Sequence, residues 1–161
     1  MHRTVVVLAL LARACGARGE SPDGFGSKPH LVVLLADNVG WANVGFHMPP
    51  HADPREYHTP HLDELAAGGL ELERHYTYKF CSPSRSAFLT GRLPFHVNVY
   101  NDDPTRPGAG VPAEMTMLPR HLQRAGYATH FVGKWHVGMT SAAAHTPRAR
   151  GFDTSFGYFH S

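Results

Sequence analysis

The run His30-Leu31-Val32-Val33-Leu34-Leu35-Ala36 is continuously aliphatic and is bounded by Pro29 and Asp37. So short and uniform an apolar run reads as a strand covered on both faces, the pattern of a parallel sheet between helical layers. Thr59-Pro60-His61-Leu62-Asp63-Glu64-Leu65-Ala66-Ala67-Gly68-Gly69 follows, with a capping threonine, proline at the first helical position, early carboxylates and a glycine stop. That combination predicts a helix. Leu70 to Tyr76 is expected as a second strand, Pro83 to Thr90 as a short helix, Met115 to Ala125 as a helix ended by Gly126, and Tyr127 to Val132 as a third strand. Strands alternating with helices predict an α/β fold with a mainly parallel sheet. Asn98 to Pro112, rich in Pro, Gly and Asp, is expected as a long surface loop.

The first 17 residues carry a different signal. Met1-His2-Arg3 is a positive start, Thr4 to Ala12 is apolar, and Ala14, Cys15, Gly16 and Ala17 are small. This is a secretory leader pattern, too short to span a bilayer, which takes about 20 apolar residues. A core strand is the alternative, disfavoured by Arg13 and Arg18. Cleavage after Ala17 removes Arg3 and Arg13, so the 15 basic residues fall to 13 and balance the 13 acidic ones. No nucleic-acid patch is implied, and no membrane span remains. The length of 161 residues suits one core. Of the 13 histidines, His47, His51, His58 and His61 lack regular metal-ligand spacing and read as solvated loop residues.

Three clusters fall where an α/β sheet places chemistry, beyond the carboxyl ends of its strands. Asp37-Asn38 offers two oxygen donors suited to a hard cation such as Ca2+, or an ordinary strand-end turn. Cys81 precedes Ser82, read as a cap, and Pro83, read as a helix opener, with Arg85 adding a planar cation. A helix start of this kind attracts an anion. With the leader gone, Cys81 is the only cysteine of the chain and lacks an internal disulfide partner. Gly133-Lys134-Trp135-His136-Val137-Gly138 follows the third strand, and extended residues two apart share a face, so Lys134 and His136 are expected to point together. Lysine suits an oxyanion and histidine suits proton transfer near neutral pH. A cysteine hydrolase using Cys81 with His136 as base, and a non-catalytic anion binder, remain open on these residues alone.

Taken together these segments resemble the type I sulfatases, and within them the arylsulfatase B-like branch. Cys81-Ser82-Pro83-Ser84-Arg85 matches the C-x-P-S-R signature, Leu89-Thr90-Gly91-Arg92 its continuation, and Gly133 to Gly138 the second signature. Leu34-Leu35-Ala36-Asp37 with Val39-Gly40-Trp41, Thr59-Pro60-His61-Leu62-Asp63, and Arg150-Gly151-Phe152-Asp153 with Phe156-Gly157-Tyr158 are also similar. The resemblance covers about residues 28–161 and implies an alkaline-phosphatase-like α/β fold, incomplete at its C-terminus, as the N-terminal part of a sulfatase catalytic domain. It implies a sulfuric ester hydrolase of the secretory pathway, lysosomal or extracellular, acting on sulfate esters and by its branch on sulfated carbohydrates. Cys81 would be converted by the formylglycine-generating enzyme, and the hydrated aldehyde would attack sulfur. Asp37, Asn38 and the Cys81-derived group would ligate Ca2+, Arg85 would hold the hydrate, Lys134 would contact sulfate, and His136 would assist proton transfer. The family usually has a second aspartate where this chain has Asn38, and supplies further ligands, a His and a Lys from a later segment. The fragment alone is expected to be inactive.

Overall fold

The structure is a computed structural model that describes residues 6–9, 28–53, 55, 58–97, 103 and 105–160. It divides into two compact units, Met1–Thr77 and Tyr78–Ser161.

In the first unit β1 (Val6–Ala9) pairs antiparallel with β2 (Val32–Leu35), Val6 opposite Leu35 and Ala9 opposite Val32. β1 lies inside the apolar run read as a leader; the rest of that run, with Cys15, falls outside the described residues. Leu31, Val32, Val33 and Leu34 are exposed, so β2 is not covered on both faces, and its partner is antiparallel. An aliphatic run records what a strand is suited to bury against, and no layer of the first unit covers this one among the described residues.

Two 3-10 turns, Trp41–Asn43 and Gly45–His47, follow β2 and lead to α1 (Pro60–Ala67). Thr59 stands at the N-cap of α1, but its hydroxyl is engaged elsewhere: it accepts the Gly45 N–H at 2.7 Å and donates to Asp63 Oδ1 at 2.9 Å. Asp63 also accepts the Phe46 N–H, so the first turn of α1 clamps the Gly45–His47 turn. A Cβ at Gly45 would collide with the Asp63 carboxylate. His47 is not solvated. Its ring stacks on Trp41 with centroids 3.6 Å apart, Nδ1 lies 3.1 Å from the Trp41 carbonyl, and Nε2 contacts the Glu71 carboxylate. His51, His58 and His61 are exposed as expected. Leu70 to Tyr76 forms no strand: His75 N–H bonds back to the Leu72 carbonyl at 3.3 Å, and the turn this closes breaks any extended ladder.

The second unit holds the principal core. α2 runs Cys81–Thr90, closed by Gly91 in the left-handed conformation (φ 66°), whose N–H bonds the Ala87 carbonyl at 2.8 Å. Ser82, Pro83, Ser86 and Leu89 are its buried stripe, spaced as one helical face. α3 (Leu118–Arg124) starts later than expected, with Pro119 in its first turn, where a missing N–H costs nothing. β3 (His130–Lys134) pairs parallel with β4 (Thr154–Tyr158), His130 opposite Thr154 and Lys134 opposite Tyr158, and the short α4 (Ala142–His145) lies between them in sequence. β3 also begins later than expected, because Thr129 is committed to Asp153: its N–H donates to Asp153 Oδ2 at 2.7 Å and its carbonyl accepts the Asp153 N–H at 2.8 Å.

Leu89, Val111, Met117, Trp135 and Val137 form the buried centre, with Phe131, Met139 and Phe152 packed on it. Phe131, Trp135 and Phe152 meet in tilted and edge-on geometries at 5.3 to 6.1 Å, and the Trp135 indole donates to the His145 carbonyl at 2.8 Å. Arg150 closes the core from one side. Its buried guanidinium donates to the carbonyls of Pro112, Ala113 and Met115 at 3.0, 2.7 and 2.6 Å. Of the expected loop Asn98 to Pro112, residues 98–102 and 104 lie outside the described residues, and Val111 is buried in the core.

Candidate functional site

Cys81 is the first residue of α2 and is half-buried. The helix therefore starts two residues earlier than expected: Phe80 occupies the N-cap with extended backbone, while Ser82 and Pro83 are inside the first turn and buried. Ser84 fixes this start, its hydroxyl donating to the carbonyls of Tyr78 and Phe80 at 2.7 and 2.6 Å. The geometry still sets Cys81 among the first amides of a ten-residue helix, at the positive end of its dipole.

Arg85 lies one turn after Cys81 on the same helix, where residues four apart are neighbours. Its Nη1 donates to the Lys134 carbonyl at 2.7 Å, which ties α2 to the last residue of β3. Two of the three clusters are thus joined in one unit by a charge-assisted bond across 49 residues of chain.

Beyond Lys134 the ladder to the β4 side continues. Trp135 N–H bonds the Tyr158 carbonyl at 2.9 Å, and His136 N–H bonds the Phe159 carbonyl at 3.1 Å. His136 itself is left-handed (φ 51°) and only 1% exposed. Residue 136 thus departs from extended geometry, and strand alternation no longer dictates the direction of its side chain relative to Lys134. Both are buried, with Trp135 between them in sequence. A non-glycine residue held in this conformation is uncommon and is characteristic of functional sites. The His136 ring faces that of His160, centroids 5.4 Å apart and planes 33° apart. Sequence reading passed over His160, because the only cue to it is the β3–β4 register, and β4 was not expected.

Asp37 and Asn38 follow β2 in the other unit, both exposed, with Asn38 left-handed (φ 65°). Oxygen donors suit a hard cation, which takes about six to eight of them. Two side chains make only part of such a shell, and among the described residues no three His, Cys, Asp or Glu groups gather to hold a metal. The donor chemistry fits Ca2+; the donor number needs further ligands.

Asp103 sits near His160, its carboxyl held below the ordinary range by hydrogen bonds from the Thr105 hydroxyl and N–H, with attraction to His160 and Arg106 adding to them.

Comparison with known proteins gives a consistent picture. The family described as Sulfatase matches residues 29–161. Mouse Arylsulfatase J is 43% identical over 133 residues, covering 81% of this chain and 21% of that protein. Human N-acetylgalactosamine-6-sulfatase is 36% identical over 148 residues, covering 86% of this chain and 27% of that protein. Among solved structures, Ps i-CgsB in complex with k-i-k-neocarrahexaose superposes with a TM-score of 0.60 at 30% identity, over 78% of this chain and 27% of that one. The chain thus spans between a fifth and three-tenths of the length of these proteins. With these structural relatives and its own parallel β3–β4 pair flanked by helices, the expected α/β class holds.

Proposed function

Because the chain belongs to the sulfatase family, we propose that it forms the N-terminal part of a sulfuric ester hydrolase whose nucleophile is made from Cys81. The observation that carries this reading is the Arg85 to Lys134 bond, which draws the Cys81 helix and the Lys134-Trp135-His136 segment into one place. Conversion of Cys81 by the formylglycine-generating enzyme would supply an aldehyde hydrate as nucleophile, splitting one hard displacement into two easier steps.

Arg85, fixed by its bond to the Lys134 carbonyl, would orient the modified residue through the helix turn they share. The first amides of α2 would face the anionic ester. Lys134 would bind a sulfate oxygen, and His136 would accept or return the proton at the modified residue. By the family resemblance Asp37 and Asn38 would donate oxygens to a Ca2+ ion, as would the Cys81-derived group, and the cation would supply neutralisation of charge on the sulfate. A sulfated carbohydrate is the substrate class this reading favours, supported by the relative named N-acetylgalactosamine-6-sulfatase. The secretory pathway, ending in the lysosome or outside the cell, is its compartment, supported by the leader pattern. No helix among the described residues is long and apolar enough to cross a membrane.

The test grafts residues 29–161 in place of the matching segment of mouse Arylsulfatase J and follows release of an aryl alcohol from its sulfate ester. The chimera is expected to turn over, to stop on chelation of calcium and to be silent as Cys81→Ala. The 161-residue chain alone is expected to show no turnover, since groups that act as a unit lose nearly all their effect when some are missing. A folded but inactive chimera beside an active parent contradicts the proposal, and robust turnover by the chain alone contradicts the need for further groups.

A further inference from the structure

We propose that His160 is a proton relay that connects the buried His136 to solvent. The inference rests on reading His136 as the residue that moves a proton in the site.

His136 is 1% exposed, and a buried imidazole that takes a proton in each turnover needs an exit for it. His160 is exposed and its ring lies 5.4 Å from that of His136, centroid to centroid, at 33°. Rings this close leave room for at most a bridging water between them, and proton transfer through one water is an ordinary route. The placement is built into the backbone: β3 and β4 pair in parallel to Lys134 and Tyr158, and the Trp135 and His136 amides extend the ladder to the Tyr158 and Phe159 carbonyls. Residue 160 is therefore delivered to residue 136 by strand register rather than by a mobile side chain.

Charge on either side gives the proton a direction. On the strand side His136 follows Lys134, whose carbonyl carries the Arg85 guanidinium. On the solvent side His160 meets the field of the Asp103 carboxylate. Cations behind and a carboxylate ahead favour movement of positive charge toward His160. The step balances: His136 gains a proton at the site and gives one to His160 from its other ring nitrogen, and His160 gives one to water. Each ring ends neutral with its N–H on the opposite nitrogen, and the reverse transfer, from water through His160 to His136 as the proton is returned to the site, restores both.

The experiment uses the 161-residue chain and requires neither an aldehyde nor turnover, so failure of Cys81 conversion leaves it readable. Nitrogen-15 spectra measure exchange of the His136 ring N–H with water in the native chain, in His160→Gln and in His160→Phe, which keeps an aromatic ring but moves no proton. Both variants are expected to slow that exchange at least about tenfold. Added imidazole is expected to restore it in His160→Gly, while protection of the His136 backbone amide stays unchanged. Native exchange rates in His160→Phe overturn the relay. So does slowing that accompanies loss of the amide protection and resists imidazole, since that outcome makes His160 a structural residue only.

Discussion

Replacing Arg150 by methionine keeps most of the apolar stem and removes the guanidinium that donates to the Pro112, Ala113 and Met115 carbonyls. Hydrogen bonds from a charged donor contribute about 1.5 to 3 kcal/mol each, but three from one group are not additive. Removing the donor leaves carbonyls short of a partner, and each buried polar group left unsatisfied costs about 1 to 3 kcal/mol. Burial pushes the Arg150 guanidinium below its ordinary pKa, with Glu114 opposing that shift, so its charge is held against a desolvation cost. The loss is a large share of the about 5 to 15 kcal/mol that holds a domain. For a unit of this size about 4 kcal/mol corresponds to a fall in Tm of roughly 15 to 30 °C. The two tryptophans lie in different units, Trp41 in the first and Trp135 in the second. In a Trp41→Phe background, fluorescence of Trp135 reports the second unit by itself. Arg150→Met is expected to melt that unit far below the parent, and Arg150→Lys to fall between, since an ammonium lacks the planar fork that spans three carbonyls. A shift below about 5 °C for the methionine variant refutes the assignment of Arg150 as the tie between these segments.

Gly91→Ala is expected to cost about 1 to 2 kcal/mol in the same melt, since Gly91 is left-handed with open space around it and only backbone strain opposes a side chain; no change would mean that α2 does not end there. Asp153, bonded by the Thr129 N–H first and then by Gln123 and the Thr129 hydroxyl, has its carboxyl depressed. A folded pKa below the unfolded one gives stability that is complete above about pH 5 and is lost as pH falls through the folded value. Asp153→Asn is therefore expected to flatten the acid limb of the unfolding curve, and an unchanged limb speaks against the Asp153 contacts. In the chimera completed by the Arylsulfatase J segment, Asn38→Asp is expected to tighten Ca2+ binding several-fold by calorimetry, because it adds a carboxylate at a left-handed position that Asp tolerates as readily as Asn; equal or weaker affinity removes residue 38 from the metal shell.

Local chemistry made α1 and α2 legible: Thr59-Pro60 and the two glycines frame one, while Pro83 in the first turn and Gly91 at the end mark the other, whose true start two residues before Pro83 carries no such sign. Elements that depend on a partner were less so. Thr154 to Tyr158 is a strand only because β3 lies beside it, and Leu70 to Tyr76 is none because a turn interrupts it. The aliphatic run around β2 predicts burial that the described residues do not provide. Cys81, Arg85 and Lys134 were legible as motifs, and the structure joins the segments that carry them. The left-handed backbone of His136 and the closeness of His160 arise from strand register, which no local pattern records. His47 was misread for a similar reason, since its burial depends on Trp41 and Glu71 rather than on its neighbours in sequence.

The measurement closest to the central claim is the chemical state of Cys81 after expression in a secretory pathway that contains the formylglycine-generating enzyme. The account predicts a peptide with the mass of CHO in place of CH2SH at residue 81, reactive toward a hydrazide probe and absent in Cys81→Ala. Pro83→Ala and Arg85→Ala are expected to reduce conversion, whereas Lys134→Ala and His136→Ala leave it intact, because those two act only in the folded site. Quantitative recovery of a thiol at Cys81, alkylated by iodoacetamide in the presence of the generating enzyme, contradicts the proposed mechanism for this chain.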